Sequence, residues 1–148
     1  MTKIYVDADA CPVKEEIFKV AARFGLEVVL VANMYLRNLN YAKATLIVVD
    51  EGVDKADDWI ANAITSKDVF VTADIPLAKR CTEKGACGLD MKGKIFDENT
   101  IGSALSTRNL FTHLRETGEI TSQSKPFSKQ DRSQFLQNLD KLLRVCFK

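Results

Sequence analysis

Histidine is nearly absent from this chain: His113 is the only one in 148 residues. The four cysteines, Cys11, Cys81, Cys87 and Cys146, form no CxxC pair. Together these absences exclude a structural zinc site of the ordinary Cys/His kind. No apolar run approaches the length of a membrane span. Neither sign of charge dominates, since 21 basic and 20 acidic residues leave a net charge of +1. Such a balance announces neither a nucleic-acid binder nor a membrane-surface protein, although the distribution of charge matters more than its sum. The N-terminal MTKIYVDAD enters a strand pattern without a charged n-region or a long apolar segment. No disulfide framework, internal repeat or low-complexity tract is expected. The expectation is a cytoplasmic protein with reduced thiols.

What is present is an ordinary globular composition, 46% hydrophobic and 28% charged. The length suits one domain, residues 1–148, with one core. Short β-type runs alternate with helical stripes. Lys3–Asp9, Glu27–Ala32, Thr45–Asp50 and Val69–Thr72 read as strands, with a weaker fifth near Ala86–Leu89. Pro12 stands where a helix can open, Ile17, Val20, Ala21 and Phe24 form its stripe, and Gly25 stops it. A second helix carries Ala56, Trp59, Ile60, Ala63 and Ile64, and a third spans Ile75–Lys84. Asn33–Lys43 has no clear period and reads as a loop or short helix. From Asn99 the pattern is helical again (Ile101, Leu105, Leu110, Leu114). The polar Thr117–Lys125 then leads to a last helix with Phe135, Leu139, Leu142 and Leu143 on one stripe. The fold class this predicts is α/β, a three-layer sandwich around a mainly parallel sheet of four to five strands.

Aspartates gather where these strands end. Asp7 and Asp9 close the first, Asp54, Asp57 and Asp58 follow the third, and Asp74 follows the fourth. Open parallel sheets bind ligands outside the carboxyl ends of their strands. Carboxylates delivered there repel one another, and a hard divalent cation reverses that repulsion. Each acid also has a plainer account. Asp9 or Asp74 could cap the following helix, and Asp54 with Asp57 has a cap-like spacing. Capping explains one acid per helix and leaves Asp7 unexplained, because it closes an apolar strand well before the helix start. Thr72, two residues before Asp74, could orient a carboxylate or serve as an ordinary β-branched strand residue.

The strings VDADACPVK, VDKADDWI, VFVTADIPLAKRC and KPFSKQDRSQF resemble the YaiI/YqxD family, also called UPF0178 or DUF188, over nearly the whole chain. That family carries no established activity. Its wider likeness is to PIN-like and NYN nuclease domains, which implies a PIN-like sheet and an acidic site for Mg²⁺ or Mn²⁺. On that likeness Asp7 matches the acid ending the first strand. Asp57 matches the acid of a D-x-x-I pattern completed by Ile60, and Asp74 the acid of a T-x-D segment. These three are the expected catalytic acids, and Asp9, Asp54 and Asp58 are additional metal candidates.

Basic residues concentrate in the C-terminal third, as Arg108, Arg115, Lys125, Lys129 and Arg132. They could contact phosphates, or form a solvated helical surface. Lys14 and Lys79 could touch a phosphate or pair with an aspartate. Tyr35, Tyr41 and Phe111 could stack on bases, with burial or a homodimer contact as the plainer account. Cys11 sits at a strand-to-helix junction that would favour a thiolate, but the only histidine, His113, is distant in sequence. The leading expectation is a metal-dependent nuclease acting on RNA. One alternative is a haloacid-dehalogenase-like phosphatase, with Asp7 as nucleophile, Asp9 as general acid, and Thr72 and Lys79 in the later motifs. The other is a non-catalytic nucleic-acid-binding or adaptor domain.

Overall fold

Burial on both faces governs how the strands form. Ile4 and Val6 of β1 (Lys3–Asp7) and Val28 and Leu30 of β2 (Glu27–Ala32) are fully buried, each such side chain stabilising the fold by ~1.5–3 kcal/mol. A computed structural model describes residues 2–9, 11–37, 39–50, 55–97, 101 and 127–146. The remaining elements are α1 (Lys14–Phe24), β3 (Ala44–Val48), α2 (Lys55–Ala63), β4 (Val69–Val71), α3 (Ile75–Glu83), β5 (Cys87–Leu89) and α4 (Lys129–Cys146). The five strands form one parallel sheet in the order β3-β2-β1-β4-β5. An isolated antiparallel bridge, Leu89 to Ile95, lies beside β5.

Alternation along the strands divides the core in two. Ile4, Val6, Val28 and Leu30 pack with Ile17 and Val20 of α1 and Phe135, Leu139 and Leu143 of α4. Tyr5, Val29, Val31 and Phe70 pack with Ile60 of α2 and Leu77 and Cys81 of α3. The expected three-layer α/β sandwich is thus present. The last helix buries the stripe expected of it.

Several boundaries differ from the sequence reading. β1 stops at Asp7 rather than Asp9, and β3 runs over Ala44–Val48 rather than Thr45–Asp50. Pro12 precedes α1, whose N-cap is Val13, and makes no part of the first helical turn. Gly25 does end α1, with φ of 67° in the left-handed region. The described part of Asn33–Lys43 contains no helix. Of the helix expected from Asn99, Ile101 is described and helical; Leu105, Leu110, Leu114 and the Thr117–Lys125 linker lie outside the described residues.

At the amino end of the sheet, buried Asp68 accepts from the Lys3 and Thr65 amides at 3.0 and 2.9 Å and from the Thr65 hydroxyl at 2.9 Å. One carboxylate thereby ties the start of β1 to the turn before β4. On the α2–α3 face, Gly88 lies opposite Phe70 in the β4–β5 register, and Phe70 stacks on Phe96 with ring centroids 5.9 Å apart. A Cβ on Gly88 would run into the Phe70 ring. The Gly88→Ala variant should therefore lose about 1–3 kcal/mol of stability by overpacking. Urea unfolding of the two proteins measures this, and an unchanged midpoint would contradict it.

Candidate functional site

The chain runs outward from β1 to β2 and β3, then returns to place β4 on the other side of β1. The order therefore reverses between β1 and β4. In an open parallel sheet such a reversal leaves a crevice beyond the strand carboxyl ends, because the flanking connections diverge to opposite faces. The β1–β4 register pairs Tyr5 with Phe70 and Val6 with Val71. Continued by one residue, it sets Asp7 against Thr72, both on the α2–α3 side.

The Thr72 hydroxyl donates to Asp7 Oδ2 at 3.1 Å and accepts from the Asp74 amide at 3.0 Å. Thr72 is fully buried, so this hydroxyl is a fixed link between the two acids. Asp74 caps α3, its Oδ1 accepting from the Leu77 amide at 3.0 Å. These bonds engage one oxygen of each carboxylate. Among the described residues, none engages Asp7 Oδ1 or Asp74 Oδ2.

Burial pushes the Asp7 carboxyl above its ordinary pKa. The Thr72 hydrogen bond pulls it back in part, and the charges of Asp9 and Asp74 raise it further. The charges of Asp9 and Asp74 therefore both reach Asp7 at this edge. Asp9 does not cap α1: both its oxygens accept from the Asn33 amide, at 3.2 and 3.0 Å. The Asn33 side chain donates in turn to the Asp50 carbonyl at 3.1 Å, joining the carboxyl ends of β1, β2 and β3.

The other expected acids are placed differently. Asp57 and Asp58 stand in the first turn of α2. Asp58 forms an ion pair with Arg80 of α3 at 2.8 Å, while its side chain stays 56% exposed. Surface pairs of this kind contribute ~0–1 kcal/mol. Asp57 lies close enough to Arg80 and Cys81 for its charge to act on both. Asp54 lies outside the described residues.

Among the described residues, no three His, Cys, Asp or Glu side chains are grouped as ligands of one cation. Mg²⁺ does not require such a group, since it keeps several waters and binds through one or two carboxylates plus substrate phosphates. The open oxygens of Asp7 and Asp74 fit that requirement.

Of the basic candidates, Lys14 donates to the Cys11 carbonyl at 3.0 Å rather than to an aspartate. Lys79 is exposed on α3. Arg132 of α4 donates to the Pro12 carbonyl, lies 3.4 Å from Glu16 Oε1, and sits over the Phe127 ring. Lys129 opens α4. Arg108, Arg115, Lys125, Phe111 and His113 lie outside the described residues.

Two further expectations change, for Cys11 and Tyr35, while Tyr41 takes the plainer of its two accounts. The Cys11 thiol is buried, and burial raises its pKa, so the junction does not favour a thiolate. Tyr41 donates to the Leu26 carbonyl at 2.6 Å and stacks on Phe18, which gives it a packing role. Tyr35 is 74% exposed rather than buried. Sequence reading missed Asn33 and Arg80. Nothing in their local patterns announces partners 24 and 22 residues away.

The family model described as Uncharacterized BCR, YaiI/YqxD family, matches residues 5–145. The chain belongs to the YaiI/YqxD family. Similar relatives carry the name UPF0178 protein. One from Rhodopseudomonas palustris (strain ATCC BAA-98 / CGA009) is 51% identical over 144 residues, covering 97% of this chain and 91% of the relative. Another, from Paramagnetospirillum magneticum (strain ATCC 700264 / AMB-1), is 52% identical over 143 residues, covering 97% and 95%. A third, from Agrobacterium fabrum (strain C58 / ATCC 33970), is 51% identical over 142 residues, covering 96% and 93%. No solved structure matches the chain. The names of these YaiI/YqxD relatives state no activity. No helix among the described residues is long and apolar enough to cross a membrane.

The raised Asp7 pKa has a consequence for stability. The native state binds this proton more tightly than the unfolded chain does. Stability therefore falls as pH rises from the ordinary value of 3.8 through the raised one. Asp7→Asn removes the ionisable group, so above that window the variant should be more stable than the parent. The advantage should shrink as the solution is acidified. Urea midpoints across the pH range measure it, and a variant less stable than the parent at neutral pH would refute it.

Proposed function

We propose that this YaiI/YqxD protein is a metal-dependent nuclease hydrolysing phosphodiester bonds, with RNA as the strand. The observation carrying the reading is the Asp7–Thr72–Asp74 link at the β1–β4 switch point, with one open oxygen on each carboxylate. Asp7 and Asp74 would hold Mg²⁺ or Mn²⁺. When bound, such an ion acidifies a coordinated water and offsets charge on the phosphate. Thr72 fixes the Asp7 carboxylate and the Asp74 backbone, so the two ligands stay at one spacing. Asp9 adds negative potential beside them. Asp57, in the first turn of α2, is a further candidate, and Asp54 is one on its sequence position alone. Lys129, Arg108, Arg115 and Lys125 are the residues proposed to grip the strand, whereas Arg132 is engaged by the Pro12 carbonyl and Glu16. The choice of RNA follows the resemblance to PIN-like domains.

This reading is preferred to the phosphatase for a specific reason. A general acid must reach the leaving group, whereas both oxygens of Asp9 are turned to the Asn33 amide. The adaptor reading has no observation in its favour.

Cleavage of end-labelled single-stranded RNA in Mg²⁺ or Mn²⁺ tests the proposal. Asp7→Asn and Asp74→Asn should each abolish cleavage. Asparagine caps helices as well as aspartate does, so α3 stays intact in the second variant. Thr72→Val should lower metal affinity or activity by about 10–100-fold, the usual effect of removing a hydrogen bond that orients a metal-binding carboxylate. Undiminished cleavage by Asp7→Asn would overturn the mechanism. Binding of RNA and metal without cleavage by the parent would move the adaptor reading ahead.

A further inference from the structure

A second feature lies on the opposite, α1–α4 face. A cavity of about 580 Å³ opens beside the start of α1, within the usual range for small-molecule sites. Cys11 and Pro12 form part of its wall, two and three residues beyond Asp9. Three cations line it: Lys14, Arg37 and Arg132. Phe18, Leu36 and Leu39 supply apolar walls.

The charges are not all spent. Arg132 faces Glu16, with 3.4 Å between Nη1 and Oε1. The Lys14 ammonium is held by a carbonyl oxygen, which orients it without neutralising it. Arg37 is exposed, and among the described residues no carboxylate lies against it. Glu15 also lines the cavity, so one acid and two cations remain outside the Arg132–Glu16 pair. An anion would meet a net positive wall.

A ligand that suits this cavity is anionic at one end and apolar along its body. We propose that the cavity binds a nucleoside monophosphate unit, with the phosphate on Lys14 and Arg37 and the base against Leu36, Leu39 and Phe18. The unit is either a free nucleotide or the 5′-phosphorylated end of a single strand. The site stands apart from the acidic edge and does not depend on hydrolysis there.

Calorimetric titration of the intact protein with adenosine 5′-monophosphate, without divalent metal, tests this. Saturable binding is expected, with adenosine and inorganic phosphate each at least about tenfold weaker, the scale of one charge-assisted hydrogen bond. Arg37→Ala and Lys14→Ala should each weaken the nucleotide by a similar factor, whereas Asp7→Asn should leave it unchanged. No saturation at about 10 mM nucleotide, an affinity too weak for a built site, would overturn the proposal. So would unchanged binding in both cation variants, or loss of binding in Asp7→Asn, which would locate the nucleotide at the acidic edge. A single-stranded oligonucleotide with a 5′-phosphate binding more tightly than its 5′-hydroxyl counterpart assigns the cavity to a strand end. Equal binding of the two assigns it to the free nucleotide.

Discussion

The hydrogen-bonded pairing of β1 with β4 is the constraint on which the acidic edge rests. Its register brings Ile4, Tyr5 and Val6 beside Val69, Phe70 and Val71. The next residues along, Asp7 and Thr72, then meet although they lie 65 positions apart in sequence. No local preference could join them. The apolar residues of both strands hold the register, because a slip of one residue would turn every side chain to the wrong face. The apolar core thus sets the position of a polar link. That link holds a carboxyl that burial and two neighbouring acids make reluctant to ionise.

Acids that look alike in sequence have different tasks in the fold. Asp68 joins the amino end of β1 to the turn before β4 and is nearly inaccessible. Asp58 spans two helices through Arg80. Asp74 both caps a helix and stands beside Asp7. Capping and a functional role are therefore not alternatives at that position: the cap engages one oxygen and leaves the other. The same reasoning separates the cations. Arg132 ties the last helix to the loop after β1, whereas Arg37 remains open.

The fold was largely legible in the sequence because its signals are periodic. Apolar runs such as Ile4–Val6 and stripes such as Phe135, Leu139 and Leu143 report burial directly. The carboxyl-edge location of Asp7 and Asp74 followed from the same alternation. Strand order was not legible, and with it the meeting of Asp7 with Thr72. Order depends on pairings across long separations, which leave no local trace. Asn33 illustrates the point. Its backbone amide serves Asp9 and its side chain serves Asp50, yet nothing around it distinguishes it from any loop asparagine. Arg37 and Glu16 were passed over for a similar reason, since a cavity wall is assembled from residues with no shared pattern.

The sheet order also bears on how the polypeptide can be made. Emerging from a ribosome, β1 can meet β2 early, since Tyr5 pairs with Val29. The face it shares with α1 waits much longer for its cover. Phe135, Leu139 and Leu143 of α4 complete that layer, and Arg132 reaches back 120 residues to Pro12. During that interval a nascent chain would carry Ile17, Val20 and their strand partners without the helix that shields them. Exposed apolar surface of this kind invites chaperones or self-association. A fold that closes one layer with so late an element leaves part of its core uncovered until that element has been made.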